Sequence, residues 1–243
     1  MDFERKVMKA CIKLAIFVFF VLFASSAAFA TLGTVTINNV NGYFTDGTIR
    51  IWGGSLSGVE GYGGFYLINK TSGTGAGLLI PDGQIDSFCI ELPQSPSGSP
   101  VVYNVVNPQD APDPATYGLI GADKQAYLEE LWGRYYAQAK TSGSLAEALS
   151  AAVWEIVYED YESDVLNYDV TVWDGTAYSF KCELADTTTA NNWLHSLTGT
   201  GPKANLFALT DGTYQDFLVT PEPTTIALFG IGGLFAALKR NKK

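Results

Sequence analysis

The sequence predicts an α+β domain, predominantly β: an antiparallel sandwich or barrel-like body with an inserted two-helix hairpin. Three observations carry that class. Short extended runs broken by Gly, Pro, Asn and Asp fill residues 34–117, the apolar period becomes helical over 122–159, and alternating runs return after Asp160. Composition agrees, because 25 glycines and 13% aromatic residues with only 16% charged ones suit a folded β-rich body, not a disordered chain. Residues 31–219 supply enough chain for one hydrophobic core.

The elements follow in order. Strands are expected at 34–40, 48–52, 64–69, 87–92 and 101–106, each rich in β-branched or aromatic residues between turn formers. Pro93-Gln-Ser-Pro-Ser-Gly-Ser-Pro100 is a loop by composition, and 108–114 is another. Over 123–139, Tyr127, Leu131, Tyr135 and Ala139 recur every fourth residue, with Leu128, Trp132 and Tyr136 beside them. That is one broad helical face. Ser142-Gly143 interrupts it, and Ser144-Leu-Ala-Glu147 then has the pattern of a capping box opening a second helix. The short link makes the two helices an antiparallel hairpin, near 122–159. Strands at 168–173 and 178–184, a short helix at 191–197 and a last strand at 214–219 complete the body.

Charge is unevenly placed. The formal total is −10, but Arg5, Lys6, Lys9 and Lys13 lie at one end and Lys239, Arg240, Lys242 and Lys243 at the other. Between 31 and 220, seven basic side chains meet 22 acidic ones. A surface so acidic repels phosphate backbones, which excludes nucleic acid as a partner.

Both ends read as addresses. Residues 1–30 pass from a charged start through the apolar run Leu14 to Phe23 to Ala28-Phe29-Ala30, the three zones of a secretory signal peptide with its cleavage site. The ten-residue run falls short of the ~20 residues that a membrane span needs. Residues 220–243 hold Pro221-Glu222-Pro223, an uncharged apolar stretch at 224–238 and the basic tail 239–243. The prolines stop regular structure. As a helix the stretch spans roughly 22 Å, a marginal membrane helix extended by snorkelling Lys239, Arg240, Lys242 and Lys243. Basic residues on its far side hold that end in the cytoplasm and place the body outside.

These three parts in this order, behind a signal peptide, resemble the bacterial PEP-CTERM sorting signal. The resemblance implies secretion machinery, signal peptidase, membrane lipid and an exosortase-type transpeptidase as partners. It implies anchoring in the inner membrane before sorting, then delivery to the envelope or an extracellular matrix with exopolysaccharide. The logic parallels other hydrophobic tails that serve as removable addresses.

Two cysteines remain once Cys11 leaves with the signal peptide. Cys182 alternates with Phe180 and Leu184 and is expected to point inward; Cys89 lies opposite Phe88, Ile90 and Leu92. A Cys89–Cys182 disulfide is one reading for an exported chain. A reactive Cys89 is another. Phe88-Cys89-Ile90-Glu91-Leu92, followed by helices ending in Ala152-Val153-Trp154, resembles bacterial surface thioester domains, in which a strand cysteine is acylated by a helix glutamine four residues before the Trp. That glutamine position is Ser150, whose hydroxyl cannot form the bond, so the resemblance carries the scaffold further than the chemistry.

No cofactor or metal is expected. His195, the one histidine, has no nucleophile motif to serve, no His/Cys pair has zinc spacing, and Gly73-Thr-Gly-Ala-Gly77 lacks the Lys-Ser/Thr of a phosphate loop. The acidic run Glu155, Glu159, Asp160, Glu162 and Asp164 lacks a calcium-loop pattern and reads as a solvated helix end. The expectation is a non-enzymatic surface or matrix protein with a binding or structural role. Its alternatives are a secreted carbohydrate-active hydrolase with paired carboxylates and a covalent adhesin acting through Cys89.

Overall fold

Alternation of buried and exposed side chains builds the sheets, and unbroken burial builds one helix. The computed structural model describes residues 31–116, 118–160, 164–183 and 186–221. Its strands are β1 (Gly33–Phe44), β2 (Thr48–Gly53), β3 (Leu56–Tyr62), β4 (Phe65–Gly75), β5 (Gly83–Cys89), β6 (Val101–Val106), β7 (Phe180–Glu183), β8 (Phe207–Thr210) and β9 (Phe217–Val219). Its helices are α1 (Gly121–Ala139), α2 (Gly143–Tyr158) and α3 (Thr187–His195).

Six strands close an antiparallel barrel in the order β1-β4-β5-β9-β8-β6, and β3-β2-β7 form a separate three-stranded sheet. Of the two architectures the sequence allows, the body is therefore the barrel. β1 makes closure possible. It pairs with both β4 and β6, and its register against β4 shifts at three places, which bends and twists the strand around the barrel. The turn into β4 needs Gly64: its φ is +87°, and a Cβ there would lie 2.2 Å from the Phe44 carbonyl oxygen.

Helix α2 is the centre of the core. Every residue from Ala146 to Tyr158 is buried, the signature of a helix surrounded by protein. The indole of Trp154 donates to the Cys89 carbonyl at 2.8 Å, and its ring packs on Phe180 of β7. The Tyr158 hydroxyl accepts from Leu92 N at 2.8 Å. Lys124, near the start of α1, donates to the Val157 carbonyl at the end of α2, which fixes the hairpin as antiparallel.

Several expectations need correction. The capping residue of α2 is Ser142, not Ser144: its hydroxyl accepts from Leu145 N. Glu147 serves a different element. Its buried carboxylate accepts from Thr45 Oγ1 (2.5 Å), Asp46 N (2.8 Å) and Gly47 N (3.0 Å), while Asp46 accepts from Ser144 N. The helix start and the β1–β2 turn thus cap one another. Residues 168–173 form no strand, because side chains take the backbone donors: Asn191 binds Val170 N and Asp169 binds Thr171 N. The strand expected at 87–92 runs instead from Gly83 to Cys89, and β3 and β8 were not anticipated. The signal peptide at 1–30, the membrane helix at 224–238 and the basic tail at 239–243 lie outside the described residues. Among those described, no helix is long and apolar enough to cross a membrane.

Candidate functional site

The cysteine site comes first. Cys89 and Cys182 are both free and buried, so the disulfide reading is overturned. They belong to different sheets, and α2 packs against both strands through Trp154. Cys89 is fully buried, although it lies opposite Phe88 and Ile90, because both faces of β5 are covered. Burial pushes its thiol up to about 12, so at neutral pH it is not a thiolate. Burial also raises the Cys182 thiol, helped by Glu155 and Glu147. Trp154 is bonded to the Cys89 backbone, and Ala152 and Val153 are buried in α2. Ser150 is fully buried, and its hydroxyl has no partner.

The acidic run is solvated only in part: Asp160 and Asp164 are exposed, Glu162 lies outside the described residues, and Glu155 and Glu159 turn inward. Glu155 is buried and its Oε1 accepts from Asp169 N at 2.7 Å; Glu159 accepts from Phe180 N at 2.8 Å. Burial, then the Glu159 charge, raises the Glu155 carboxyl well above its ordinary range. These carboxyls anchor the chain between α2 and β7. Asp164 caps a short 3-10 turn through Leu166 N. His195 Nε2 lies 2.8 Å from the Tyr168 carbonyl, a structural contact at the end of α3. Among the described residues no group of three or more His, Cys, Asp or Glu is arranged to hold a metal ion.

Two clefts remain. The larger, about 300 Å³, lies between β3, the loop at 92–96, Trp154 and Gln215. Tyr62 lines it, and its ring stacks on Tyr43 at 4.5 Å, while Tyr66 meets Tyr43 edge-on at 4.9 Å. Gln215 clamps the loop: its backbone N–H donates to the Ser95 carbonyl, and its Nε2 donates to the carbonyls of Glu91 (3.2 Å) and Gln94 (3.1 Å). Nothing local in the sequence announces this cleft, since its walls come from residues more than a hundred positions apart. Its one sequence signal is the Leu56, Val59, Tyr62 spacing on a strand too rich in Gly and Ser to be recognised.

The smaller cleft, about 240 Å³, is lined by Asp86, Tyr136, Lys140, Thr220 and Pro221 among others. Tyr136 Oη and Lys140 Nζ both donate to Asp86 Oδ2, at 2.7 and 2.5 Å. Here the chain leaves the barrel. Val219 is the last residue of β9, and Pro221 follows two residues later with no linker between strand and motif. Glu222 and Pro223, like Ala28 and Ala30, lie outside the described residues.

Residues 219–243 match the family model of the PEP-CTERM protein-sorting motif. No curated protein and no solved structure matches the chain. The chain thus carries a sorting motif joined to the barrel's closing strand. That motif implies an exported, envelope-associated protein with an exosortase as its processing partner.

Proposed function

We propose that this chain is a non-enzymatic protein of the bacterial surface or biofilm matrix, whose barrel domain associates with exopolysaccharide after exosortase-dependent release. The observation that carries the reading is the junction at Val219: the sorting motif begins where a paired barrel strand ends, so the cargo is the folded domain itself. In this reading the signal peptide at 1–30 brings the chain through the secretion machinery, signal peptidase removes it after Ala30, and the stretch at 224–238 holds it in lipid until sorting.

A binding role fits the carboxyls around the larger cleft better than hydrolysis does: Glu60, the acid that lines it, pairs with Arg50, and the acids behind the loop are held by backbone. Asp216 is buried and accepts from Asp211 N at 2.7 Å, and its own carbonyl accepts from Ile90 N. Burial raises Glu91, which Asp216 N–H and the Gln94 side chain hold in place. Asp216 and Glu91 are each engaged with backbone N–H groups, whereas hydrolysis calls for a pair of free acids.

Incubating the protein with its producer's polysaccharide tests the reading. Saturable retention without new reducing ends is expected, and shortening of the polysaccharide would establish a hydrolase instead. Fractionating cells with and without the exosortase, then sequencing the mature termini, tests the sorting step: loss of the enzyme should leave the intact tail in the membrane fraction.

A further inference from the structure

We propose that the cleft between β3 and the loop at 92–96 is a binding site for one neutral pyranose ring of a glycan. This rests on the exopolysaccharide reading and gives it an address. The volume, about 300 Å³, stands at the lower limit of ligand pockets and suits a single ring with its substituents.

The wall supplies an aromatic platform. Tyr62 is 45% exposed, yet its ring is held by stacking on Tyr43, which Tyr66 in turn supports edge-on. A ring fixed this way offers a flat apolar face at little entropic cost. A pyranose presents such a face of C–H groups while directing its hydroxyls sideways.

The loop supplies acceptors. Gln94 and Gln215 both line the cleft, and the side-chain carbonyl oxygen of each is buried without a hydrogen-bond partner. The Gln215 amide cannot be turned to cure this, because its nitrogen already donates to two backbone carbonyls and a flip would set oxygen against oxygen. Buried acceptors without donors are rare and costly. A sugar hydroxyl or acetamido N–H is a donor of the right kind. The lining includes Glu60 and no Lys or Arg, so a uronate or sulfated ring would find no counter-charge. A neutral ring fits.

Saturation-transfer NMR on the full chain, in a zwitterionic detergent free of sugar, tests the site with glucose, galactose, mannose, N-acetylglucosamine and glucuronate as probes. Saturation should reach the ring C–H protons of at least one neutral sugar and not glucuronate. Tyr62→Ala and Gln94→Leu should each weaken that binding tenfold or more, while Tyr178→Ala, at an exposed tyrosine outside the cleft, leaves it unchanged. Either cleft variant suffices if it keeps the wild-type thermal transition, since one alters a strand and the other a loop. No transfer to any neutral sugar, or binding untouched in a folded cleft variant, overturns the site. Polysaccharide retention that survives Tyr62→Ala also overturns it while leaving the matrix role standing. Sugar binding without polysaccharide retention upholds the site and overturns the matrix role.

Discussion

Asp216 is an acid that the fold keeps protonated. Burial, then the charges of Glu91 and Asp211, raises its carboxyl from 3.8 to about 8. Between those values the folded chain holds a proton that the unfolded chain has released. Stability from this group is therefore full below about pH 4 and declines as pH rises to about 8, at up to about 1.4 kcal/mol per pH unit. Asp216→Asn keeps an oxygen for Asp211 N and removes the titration. Urea melts at pH 5, 6, 7 and 8 should show a shallower loss in the variant, with its largest gain at pH 8; parallel curves would refute the assignment. The cysteines make a second test at the same scale. Neither thiol should react with iodoacetamide in the native protein, both should react after unfolding, and the intact mass should lack the ammonia loss of a thioester. Residue by residue, the sequence reads Cys182 correctly because one strand face decides it. It misreads Cys89 because the covering of the second face by α2 is long-range.

At the scale of elements, legibility follows how local the determining contacts are. The hairpin α1–α2 is read to within two residues because its periodicity suffices. The capping partner is not, since Ser142 and Ser144 both open plausible S-x-x patterns and only the turn at 45–47 decides where Glu147 goes. The strand expected at 168–173 fails for a related reason: Asp and Asn side chains outcompete a ladder that sequence alternation alone suggests. The mutual cap has a measurable consequence. A Cβ on Gly143 would lie 2.3 Å from Asp46 Oδ1 and 2.4 Å from Asp46 N. Gly143→Ala, despite its better helix propensity, should therefore destabilise by about 1–3 kcal/mol. Glu147→Ala, which removes the acceptor shared by three donors of the turn, should cost about 1.5–3 kcal/mol. Because the two residues serve one interface, the double variant should lose less than the sum, as chemical denaturation would reveal. Strict additivity would mean that the turn and the helix start are independent.

For the whole molecule, the last strand governs both folding and release. β9 sits between β5 and β8, with Phe88 opposite Leu218, Cys89 opposite Phe217 and Phe207 opposite Val219. All three of its residues are buried. The barrel consequently cannot close without residues 217–219, and closing it brings together strands separated by more than a hundred residues of chain, a slow, non-local step. The sorting motif is the next stretch to follow. Its position imposes an order: a cut within 221–223 leaves β9 whole, whereas a cut a few residues earlier opens the sheet between β5 and β8. A chain ending at Thr220 should melt cooperatively within a few degrees of the uncut protein. A chain ending at Asp216 should lose that transition and expose Phe88 and Leu209 to solvent, read as increased binding of a hydrophobic dye. If the shorter chain instead melts like the longer one, β9 does not close the barrel, and release at the motif is not confined by the fold to residues beyond 219.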